Sequence, residues 1–169
     1  MLLPILKYGA LELKTVSKPV DVFNGELERI AKNMVETMYA APGYGLAASQ
    51  VGVLKRLIVI DVTVGEKAGS LLVLANPELV SAEGDQYEEE GCLSIPDFTG
   101  RVHRPYRVIV SGQDIQGKER IIEGEGVLSR VLAHEIDHLN GVLFIDRLGA
   151  IKRDIIRRKI RKKVRAGEW

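Results

Sequence analysis

The sequence predicts an α+β protein in which mostly antiparallel β-sheets pack around a central helix, with another helix near the N-terminus and a basic helix at the C-terminus. Two observations lead to this prediction. Apolar residues recur at helical spacing in three separate segments of the chain. Between the first and second of these lie several short β-like segments, and the turn residues that separate them favour antiparallel pairing.

Length and composition limit the domain organisation. The chain has 169 residues, of which 46% are hydrophobic, and we expect residues 1–169 to form a single globular domain. No apolar run approaches the roughly 20 residues that a membrane helix needs. The first residues do not resemble a signal peptide, and a single cysteine fits a reducing compartment. We therefore expect a cytoplasmic protein without a membrane span.

The first helix is predicted over residues 25–40, with Asn24 as its N-cap. Its apolar face consists of residues at helical spacing: Phe23, Leu27, Ile30, Met34 and Met38. Residues 41–50 then interrupt the periodicity with a proline and two glycines. We predict a loop there, whose backbone can come close to a ligand.

Four strands follow in the central part of the sequence. Their β-like residues and the turn residues between them predict strands over residues 56–62, 71–76, 106–113 and 119–123. The segments between these strands are not assigned a regular structure. We therefore expect the sheets to be built mainly from these four strands.

Two further helices are predicted after the strands. Helical spacing of apolar residues returns at Val127 and continues to Leu139, and Gly141 stands where a C′ glycine ends a helix. The last helix covers residues 151–165. Its predicted apolar stripe is Ile151, Ile155, Ile160 and Val164, and its other face is basic.

Charge is unevenly distributed along the chain. Residues 1–151 carry 15 Lys and Arg against 21 Asp and Glu, whereas residues 152–169, the basic C-terminal helix and tail, carry nine against two. Such a basic segment can contact an anionic partner such as RNA, although a run of charge is more often the solvated face of a helix. Both interpretations stay open at this point.

The segment His134-Glu-Ile-Asp-His138 has the form H-E-x-x-H. In a helix, two imidazoles four residues apart project from one face and can share a metal ion, while Glu135 lies beside that ion. Such an ion lowers the pKa of a water molecule to about 7, next to a carboxylate that can take its proton. The pattern indicates a metal-dependent hydrolase, and the alternative is a polar helix face on which two histidines lie by chance.

A catalytic metal of this kind needs a third protein ligand. One class of metalloprotease uses a histidine six residues after the second one, but Phe144 stands there. Another class uses a later glutamate, and the few acidic residues after position 138 are unconvincing candidates. Cys92, the only thiol, is the strong ligand that is left, although a lone cysteine is more often a small core residue. A thiolate with two imidazoles accepts zinc, ferrous iron, cobalt or nickel.

Three segments together resemble the three signature motifs of peptide deformylases, in the same order. They are Gly43-Tyr-Gly-Leu-Ala-Ala-Ser-Gln50, Glu90-Gly-Cys-Leu-Ser94 and His134-Glu-Ile-Asp-His-Leu-Asn-Gly141. The resemblance implies a hydrolase with one catalytic domain, which removes the N-formyl group from the N-terminal methionine of nascent polypeptides and releases formate. It also implies one divalent metal ion, for which we expect Fe²⁺, with Zn²⁺, Ni²⁺ or Co²⁺ able to replace it.

The resemblance assigns roles to particular residues. The metal ligands of the family fall on Cys92, His134 and His138, and its catalytic acid and base falls on Glu135. These are the same four residues that the H-E-x-x-H pattern and the search for a third ligand single out. The two lines of reasoning therefore agree on the metal site.

Other roles come from the resemblance alone. Gln50 and the backbone N–H of Leu93 fall on the groups that stabilise the oxyanion, and Gly45 falls on the glycine that lets the backbone meet the substrate. Ala133 stands where the family usually has glutamine, and Tyr44 is a bulky residue for the first motif. We expect these two departures to affect metal affinity and fine specificity.

Three further expectations concern the surroundings of the site. Val127 and Val131 are candidate walls of a pocket for the methionine side chain, although ordinary core packing explains them equally well. Arg104 is predicted to form an ion pair with Glu90 that braces the cysteine segment. His103 is expected at the surface, outside the metal site.

The resemblance also suggests partners. Deformylases act at the ribosome, so contact between the basic helix and ribosomal RNA is a hypothesis, and we expect the chain to act as a monomer on N-formyl-methionyl nascent peptides. Two rival functions stay open: an H-E-x-x-H metallopeptidase, and a ribosome- or RNA-binding module with a structural metal. Release of formate from a formyl-methionyl peptide distinguishes both from a deformylase.

Overall fold

The computed structural model describes the whole chain, from Met1 to Trp169. It is an α+β structure with three α-helices and antiparallel sheets, as the sequence predicts. In chain order the elements are α1 (Gly25–Ala40), β1 (Gly45–Ala47), β2 (Leu57–Ile60), β3 (Leu72–Glu83), β4 (Gln86–Cys92), β5 (Ile95–Arg104), β6 (Arg107–Gln113), β7 (Glu119–Glu125), α2 (Val127–Leu139) and α3 (Ala150–Arg165). Three short 3-10 helices cover Leu11–Lys14, Ala48–Val51 and Phe144–Arg147.

The strands form two antiparallel sheets. Five of them pair in the order β1-β2-β3-β6-β7, and β4 and β5 form a separate two-stranded sheet. The β4–β5 hairpin closes tightly, with Cys92 opposite Ile95 and a register shift between Gly91 and Cys92. The only cysteine therefore lies at the turn of this hairpin.

The five-stranded sheet carries a helix on each face. Strand β2 is buried along its whole length, and its side chains alternate between the two faces, as the period of a strand requires. Leu57 and Val59 pack with the apolar face of α1, whereas Ile58 and Ile60 pack with α2. This continuous apolar strand holds both helices against the sheet.

The predicted bounds of α1 and α2 agree with the structure. The Asn24 side chain caps α1 by accepting a hydrogen bond from the Leu27 backbone N–H at 3.1 Å. Helix α2 covers Val127–Leu139, and Gly141 follows it with a φ of 74°, the left-handed conformation of a C′ residue. The cap and stop signals in the sequence were therefore sufficient to locate these helices.

The predicted loop over residues 41–50 is wrong in part. Its second half contains strand β1 and the start of a 3-10 helix, and Leu46 to Gln50 are all buried. Strand β1 has only three residues, too few for a period-2 pattern to be visible in the sequence. It exists because it pairs with the buried strand β2.

Strands β4 and β5 were missed as well as β1, and β3 was predicted too short. Strand β4 is rich in glutamate and β5 contains Pro96 and Gly100, so neither has the composition of a typical strand. Strand β3 continues through Pro77 to Glu83, although the sequence predicts its end at residue 76. Their solvent-exposed residues pair through the backbone, which a hydrophobic pattern does not report.

The predicted apolar stripe of α3 is wrong for three of its four residues, and only Ile160 is buried as predicted. Ile156 and Ile160 are the buried residues of this helix, whereas Ile151, Ile155 and Val164 are 80%, 43% and 55% exposed. The helix is rotated so that the 156/160 pair joins the core cluster formed with Phe144, Leu148 and neighbouring residues. Adjacent isoleucines at 155 and 156 made two stripes compatible with the sequence. In none of the helices is an apolar stretch long enough to cross a membrane.

We expect Gly141→Ala to destabilise the fold more than Gly167→Ala does. Both glycines follow a helix with positive φ, 74° and 70°, so both substitutions carry the left-handed penalty of about 1–2 kcal/mol. A Cβ at Gly141 would also lie 2.6 Å from the backbone oxygen of Lys14, whereas nothing lies within 4 Å at Gly167. This overlap should add about 1–3 kcal/mol to the loss in the free energy of unfolding.

Urea denaturation of the two variants measures this difference, and Gly167→Ala serves as the matched control. Equal losses of stability in the two variants would show that the close approach of Gly141 to the Lys14 backbone contributes nothing.

Candidate metal centre

Helix α2 brings two histidines and a glutamate to one side of the five-stranded sheet. His134 and His138 are four residues apart, and their Nε2 atoms lie 3.2 Å from each other. The apolar side of the same helix is fixed in the core by Leu132, Ile136 and Leu139. The rotation of α2, and with it the direction of both imidazoles, is therefore set by core packing.

The β4–β5 hairpin adds a thiol to this pair of imidazoles. The Sγ atom of Cys92 lies 3.4 Å from Nε2 of His138, and the three ligand atoms of Cys92, His134 and His138 all lie within 4.8 Å of one another. A tetrahedral ion with the usual bond lengths separates two nitrogens by about 3.3 Å and a sulfur from a nitrogen by about 3.6 Å. The donor set and its spacing thus fit a divalent cation, and one coordination position stays open.

Glu135 lies beside this cluster but is not part of it. The side chain is buried, and its Oε2 atom has no hydrogen-bond partner. Burial, the largest influence, raises the pKa of Glu135 to about 7, although the charges of His134 and Arg104 act in the opposite direction. A buried carboxylate oxygen without a partner is costly, so it indicates a group that faces a ligand or a solvent molecule.

Gly45 makes room for this glutamate. A Cβ at position 45 would lie 2.9 Å from Oε1 of Glu135 and 3.0 Å from Cγ1 of Val131. Strand β1, which carries Gly45, can therefore approach α2 only because this residue has no side chain. The requirement for glycine here is steric, since its φ is not positive.

A buried ion pair fixes the orientation of His134. Its Nδ1 atom lies 2.9 Å from Oε1 of Glu90, and Glu90 in turn accepts two hydrogen bonds from the Arg104 guanidinium, at 2.9 and 3.0 Å. A hydrogen bond at Nδ1 directs the lone pair of Nε2 towards the cluster. The predicted pair of Arg104 and Glu90 is confirmed, and it contacts a histidine as well as bracing the hairpin.

The same arginine reaches helix α2. Arg104 Nη1 donates to Oδ2 of Asp137 at 2.6 Å, and Asp137 also accepts two hydrogen bonds from Arg147, at 2.6 and 2.8 Å. The Arg104 side chain is only 2% exposed, and its single positive charge is shared between two carboxylates, Glu90 and Asp137. Although burial alone would raise it, the pKa of Glu90 is lowered to about 2 by the hydrogen bonds from His134 and Arg104, so this carboxylate stays ionised.

The two histidines have different proton affinities. Burial first, and then the charges of His134 and Arg104, lower the pKa of His138 well below its usual value. Burial also acts to lower the pKa of His134, but the hydrogen bonds with Cys92 and Glu90 raise it well above its usual value. A neutral imidazole is the form that binds metal, so His138 is ready to bind, whereas a cation must displace a proton from His134.

Gln50 is buried next to the cysteine. Its Oε1 atom accepts a hydrogen bond from the Ala47 backbone N–H at 3.0 Å, which leaves the amide N–H₂ group directed towards Ser94 Oγ at 3.1 Å and Cys92 Sγ at 3.6 Å. The amide orientation is thus fixed from both ends. An N–H donor that is held in place beside the cluster is suited to stabilise a developing negative charge.

A cavity of about 510 Å³ lies next to the cluster. Gly45, Gln50 and Leu93 contribute to its lining together with three residues of the cluster: Cys92, His134 and Glu135. Val131 also lines the cavity, as expected, but Val127 does not and is 42% exposed. Helix α2 turns Val127 away from the cavity, so this residue is not a wall of a substrate pocket.

His103 lies away from the cluster, on an exposed part of β5. Its side chain is 70% exposed, and its Nδ1 atom is 3.1 Å from a carboxylate oxygen of Asp85. The third histidine of the chain is therefore placed at the surface, as the sequence analysis expects.

Some residues around the cluster were not identified from the sequence. Ser94 and Asp137 lie within the motif segments, and Arg130 precedes His134 by four residues on α2. The position of Arg130 could have been inferred from helical spacing, because i and i+4 share a face. The contacts of Ser94 and Asp137 join segments that are far apart in the sequence, so no local pattern reports them.

Comparisons with known proteins give one consistent family. The sequence profile of the family described as polypeptide deformylase matches residues 2–154. The chain is 50% identical to a peptide deformylase of Acidobacterium capsulatum over all of this chain and 99% of that protein, and 51% identical to one of Thermodesulfovibrio yellowstonii over 96% and 98%. The crystal structure of a peptide deformylase from Legionella pneumophila is similar, with a TM-score of 0.92, 43% identity and coverage of 99% and 98%.

We expect Glu90→Gln to weaken the binding of a divalent cation by the cluster. A carboxamide carries no charge with which to orient the His134 imidazole, and loss of such a partner typically lowers metal affinity about 10–100-fold. The dissociation constant for Zn²⁺ or Co²⁺, measured by competition with a chromophoric chelator, reports the change. Glu88→Gln is the matched control, because Glu88 is an exposed residue on the same strand. Equal affinities in the two variants would contradict the orienting role of Glu90.

Proposed function

This chain belongs to the polypeptide deformylase family, and we propose on that basis that it hydrolyses the formamide bond of N-formyl-methionyl peptides with Cys92, His134, His138 and Glu135 as its reactive centre. The observation that carries the proposal is the grouping of a thiol and two imidazoles within 4.8 Å, next to a buried carboxylate oxygen without a partner. The products are formate and a free N-terminal methionine. We further propose that residues 1–169 act as a single, monomeric catalytic domain in the cytoplasm.

Cys92, His134 and His138 would hold one divalent cation. Fe²⁺ is our proposal for the physiological ion, and Zn²⁺, Ni²⁺ and Co²⁺ suit the same mixture of thiolate and imidazole ligands. When bound, such an ion acts as a Lewis acid and brings the pKa of a water molecule towards neutrality. The cysteine supplies the one anionic ligand of the set.

Glu135 would carry the proton through the reaction. Glu135 lines the cavity and its buried Oε2 atom has no partner in the chain, so this carboxylate would accept a proton from the attacking water and then donate it to the departing amine. The Gly45 backbone packs closely against this side chain, since a Cβ at Gly45 would lie 2.9 Å from Oε1 of Glu135, and this limits its movement. Its position therefore suits transfer of a proton between two reacting groups.

Gln50 and Leu93 would stabilise the negative charge that develops on the formyl oxygen. The amide N–H₂ group of Gln50 is fixed beside Cys92, and Leu93, whose backbone N–H we assign to the same role, lines the cavity next to it. Gly45 lines the cavity and has no side chain of its own, so it would allow the substrate backbone to lie against β1. Tyr44, which is 52% exposed at the cavity, would affect fine specificity.

Separate substitutions should uncouple metal binding from catalysis. Glu135→Gln keeps the three ligands and should retain one metal ion per chain, while the rate of formate release falls about 100-fold or more through loss of the proton carrier. Cys92→Ala should instead lose the ion, because two imidazoles alone hold it weakly. Anaerobic purification, metal analysis and a formate assay with formyl-Met-Ala-Ser measure both effects.

Glu125→Gln, an exposed neutral substitution on β7, is the control for these two variants. Unchanged formate release in Glu135→Gln would refute the role of Glu135. Cleavage of internal peptide bonds, rather than release of formate, would favour the metallopeptidase alternative.

We also propose that α3 contacts ribosomal RNA. Six cationic residues on this helix are exposed and belong to no ion pair: Lys152, Arg158, Lys159, Arg161, Lys162 and Arg165. Two others are paired, Arg157 with Asp146 and Lys163 with Asp97. Because the buried residues Ile156 and Ile160 fix the opposite side of the helix, the six free charges form one outward basic surface.

Replacement of these six residues by glutamine should weaken co-sedimentation with ribosomes and reduce its dependence on salt concentration, since fewer phosphates are neutralised. Formate release from formyl-Met-Ala-Ser should not change, which distinguishes this effect from damage to the active site. The six-residue variant is preferable to removal of residues 152–169, because the truncation also removes Ile156 and Ile160 from the core. Unchanged sedimentation would contradict the proposed contact.

A further inference from the structure

Arg130 occupies a position on the wall of the catalytic cavity that the proposed mechanism does not use. It lies on α2 one helical turn before His134, and both residues line the cavity together with Val131 and Glu135. Arg130 is half-buried. It is also the only lysine or arginine among the residues that line this cavity.

The charge of Arg130 is not neutralised within the chain. Eleven ion pairs are formed in the structure, and Arg130 takes part in none of them. The other two arginines near the site behave differently, since Arg104 and Arg147 both pair with Asp137. A half-buried guanidinium without an ion pair keeps its N–H donors available for an anionic group of a ligand.

Four carboxylates line the cavity together with Arg130: Glu89, Glu90 and Asp97 from the β4–β5 hairpin, and Glu135 from α2. Asp97 is engaged by Lys163 at 3.5 Å, and Glu89 accepts a hydrogen bond from the Thr99 hydroxyl at 2.6 Å. Both are exposed, so water screens them more than it screens Arg130. Arg130 is thus the single cationic side chain of the lining, and none of the four carboxylates forms an ion pair with it.

Resting on the proposed function, we propose that Arg130 selects formyl peptides that carry an acidic side chain within the first residues after the formyl-methionine. When the formyl group of a substrate reaches the cluster, the residues that follow its methionine must lie in the same cavity. Arg130 lines this cavity one helical turn from His134. The guanidinium presents five N–H donors in a planar arrangement and binds a carboxylate through two of them. Aspartate and glutamate side chains are therefore the substrate groups that this residue fits.

The test uses peptides of the form formyl-Met-Ala-Ser-Ala with an amidated C-terminus, so that no terminal carboxylate competes. Each residue after methionine is replaced in turn by Glu, Gln or Lys, and kcat/KM is measured as formate release. With the wild-type protein, at least one position should favour Glu over Gln about three- to tenfold at low salt. High salt should reduce this preference.

Variants then assign the preference to one residue. Arg130→Gln should abolish the preference for the Glu peptide over the Gln peptide. Arg130→Glu should reverse the charge preference, so that the Lys peptide has a higher kcat/KM than the Glu peptide. Glu89→Gln, which removes an exposed negative charge from the cavity lining, should increase the ratio of kcat/KM for the Glu peptide to that for the Gln peptide. Arg120→Gln, the same change at an exposed residue of β7 outside the cavity, is the matched control and should leave the ratio unaltered.

The outcomes separate this inference from the proposed function. If formate is released but the ratio is the same in the wild-type protein, Arg130→Gln and Arg130→Glu, the selective role of Arg130 is wrong and deformylation stands. If no formyl peptide releases formate, both are wrong. A general loss of activity from misfolding would lower kcat/KM equally for all peptides, so it could not produce the reversed preference expected for Arg130→Glu.

Discussion

The arrangement of the site depends on the buried guanidinium of Arg104. This side chain lies on the two-stranded sheet, binds Glu90 on the same hairpin, and reaches across to Asp137 on α2. Because the side chain is almost completely buried, removal of one carboxylate leaves an uncompensated charge, which typically costs about 3–5 kcal/mol. The pairing therefore fixes the hairpin that carries the thiol relative to the helix that carries the imidazoles.

Polar contacts of this kind align site residues that are far apart in the sequence. Gln50, Cys92 and His134 come from three segments separated by roughly 40 residues each, and they belong to different elements. Core packing of α2 against β2 fixes the histidines, whereas a hydrogen bond between Gln50 and Ser94 connects the first segment to the hairpin. Directional polar contacts thus align groups that apolar packing alone would position only approximately.

The sequence was most informative where chemistry or local geometry is encoded in neighbouring residues. The H-E-x-x-H spacing, the single cysteine and the capping residue Asn24 all predicted features that the structure contains. It was least informative for β4 and β5, because their strand structure comes from pairing with each other and not from an alternating apolar pattern. The orientation of α3 was ambiguous for a related reason, since adjacent isoleucines fit two faces and only contact with Phe144 and Leu148 selects one.

Charge balance explains how so many ionisable groups can be buried around one cavity. Glu90 with Arg104 and Asp137 with Arg147 form neutral pairs, and a divalent cation beside the Cys92 thiolate and the Glu135 carboxylate would also be neutral as a group. Each pair avoids the cost of several kcal/mol that a separate buried ion carries.

Arg130 is the exception to this balance. Arg130 is half-buried in the lining of the cavity, and it forms no ion pair with a carboxylate of the chain. Arg104 and Arg147 are paired with a carboxylate, whereas the charge of Arg130 remains available for an anionic group of an incoming molecule. If the formyl group binds at the cluster as proposed, the residues that follow it enter the cavity that Arg130 lines, and Arg130 would distinguish among them.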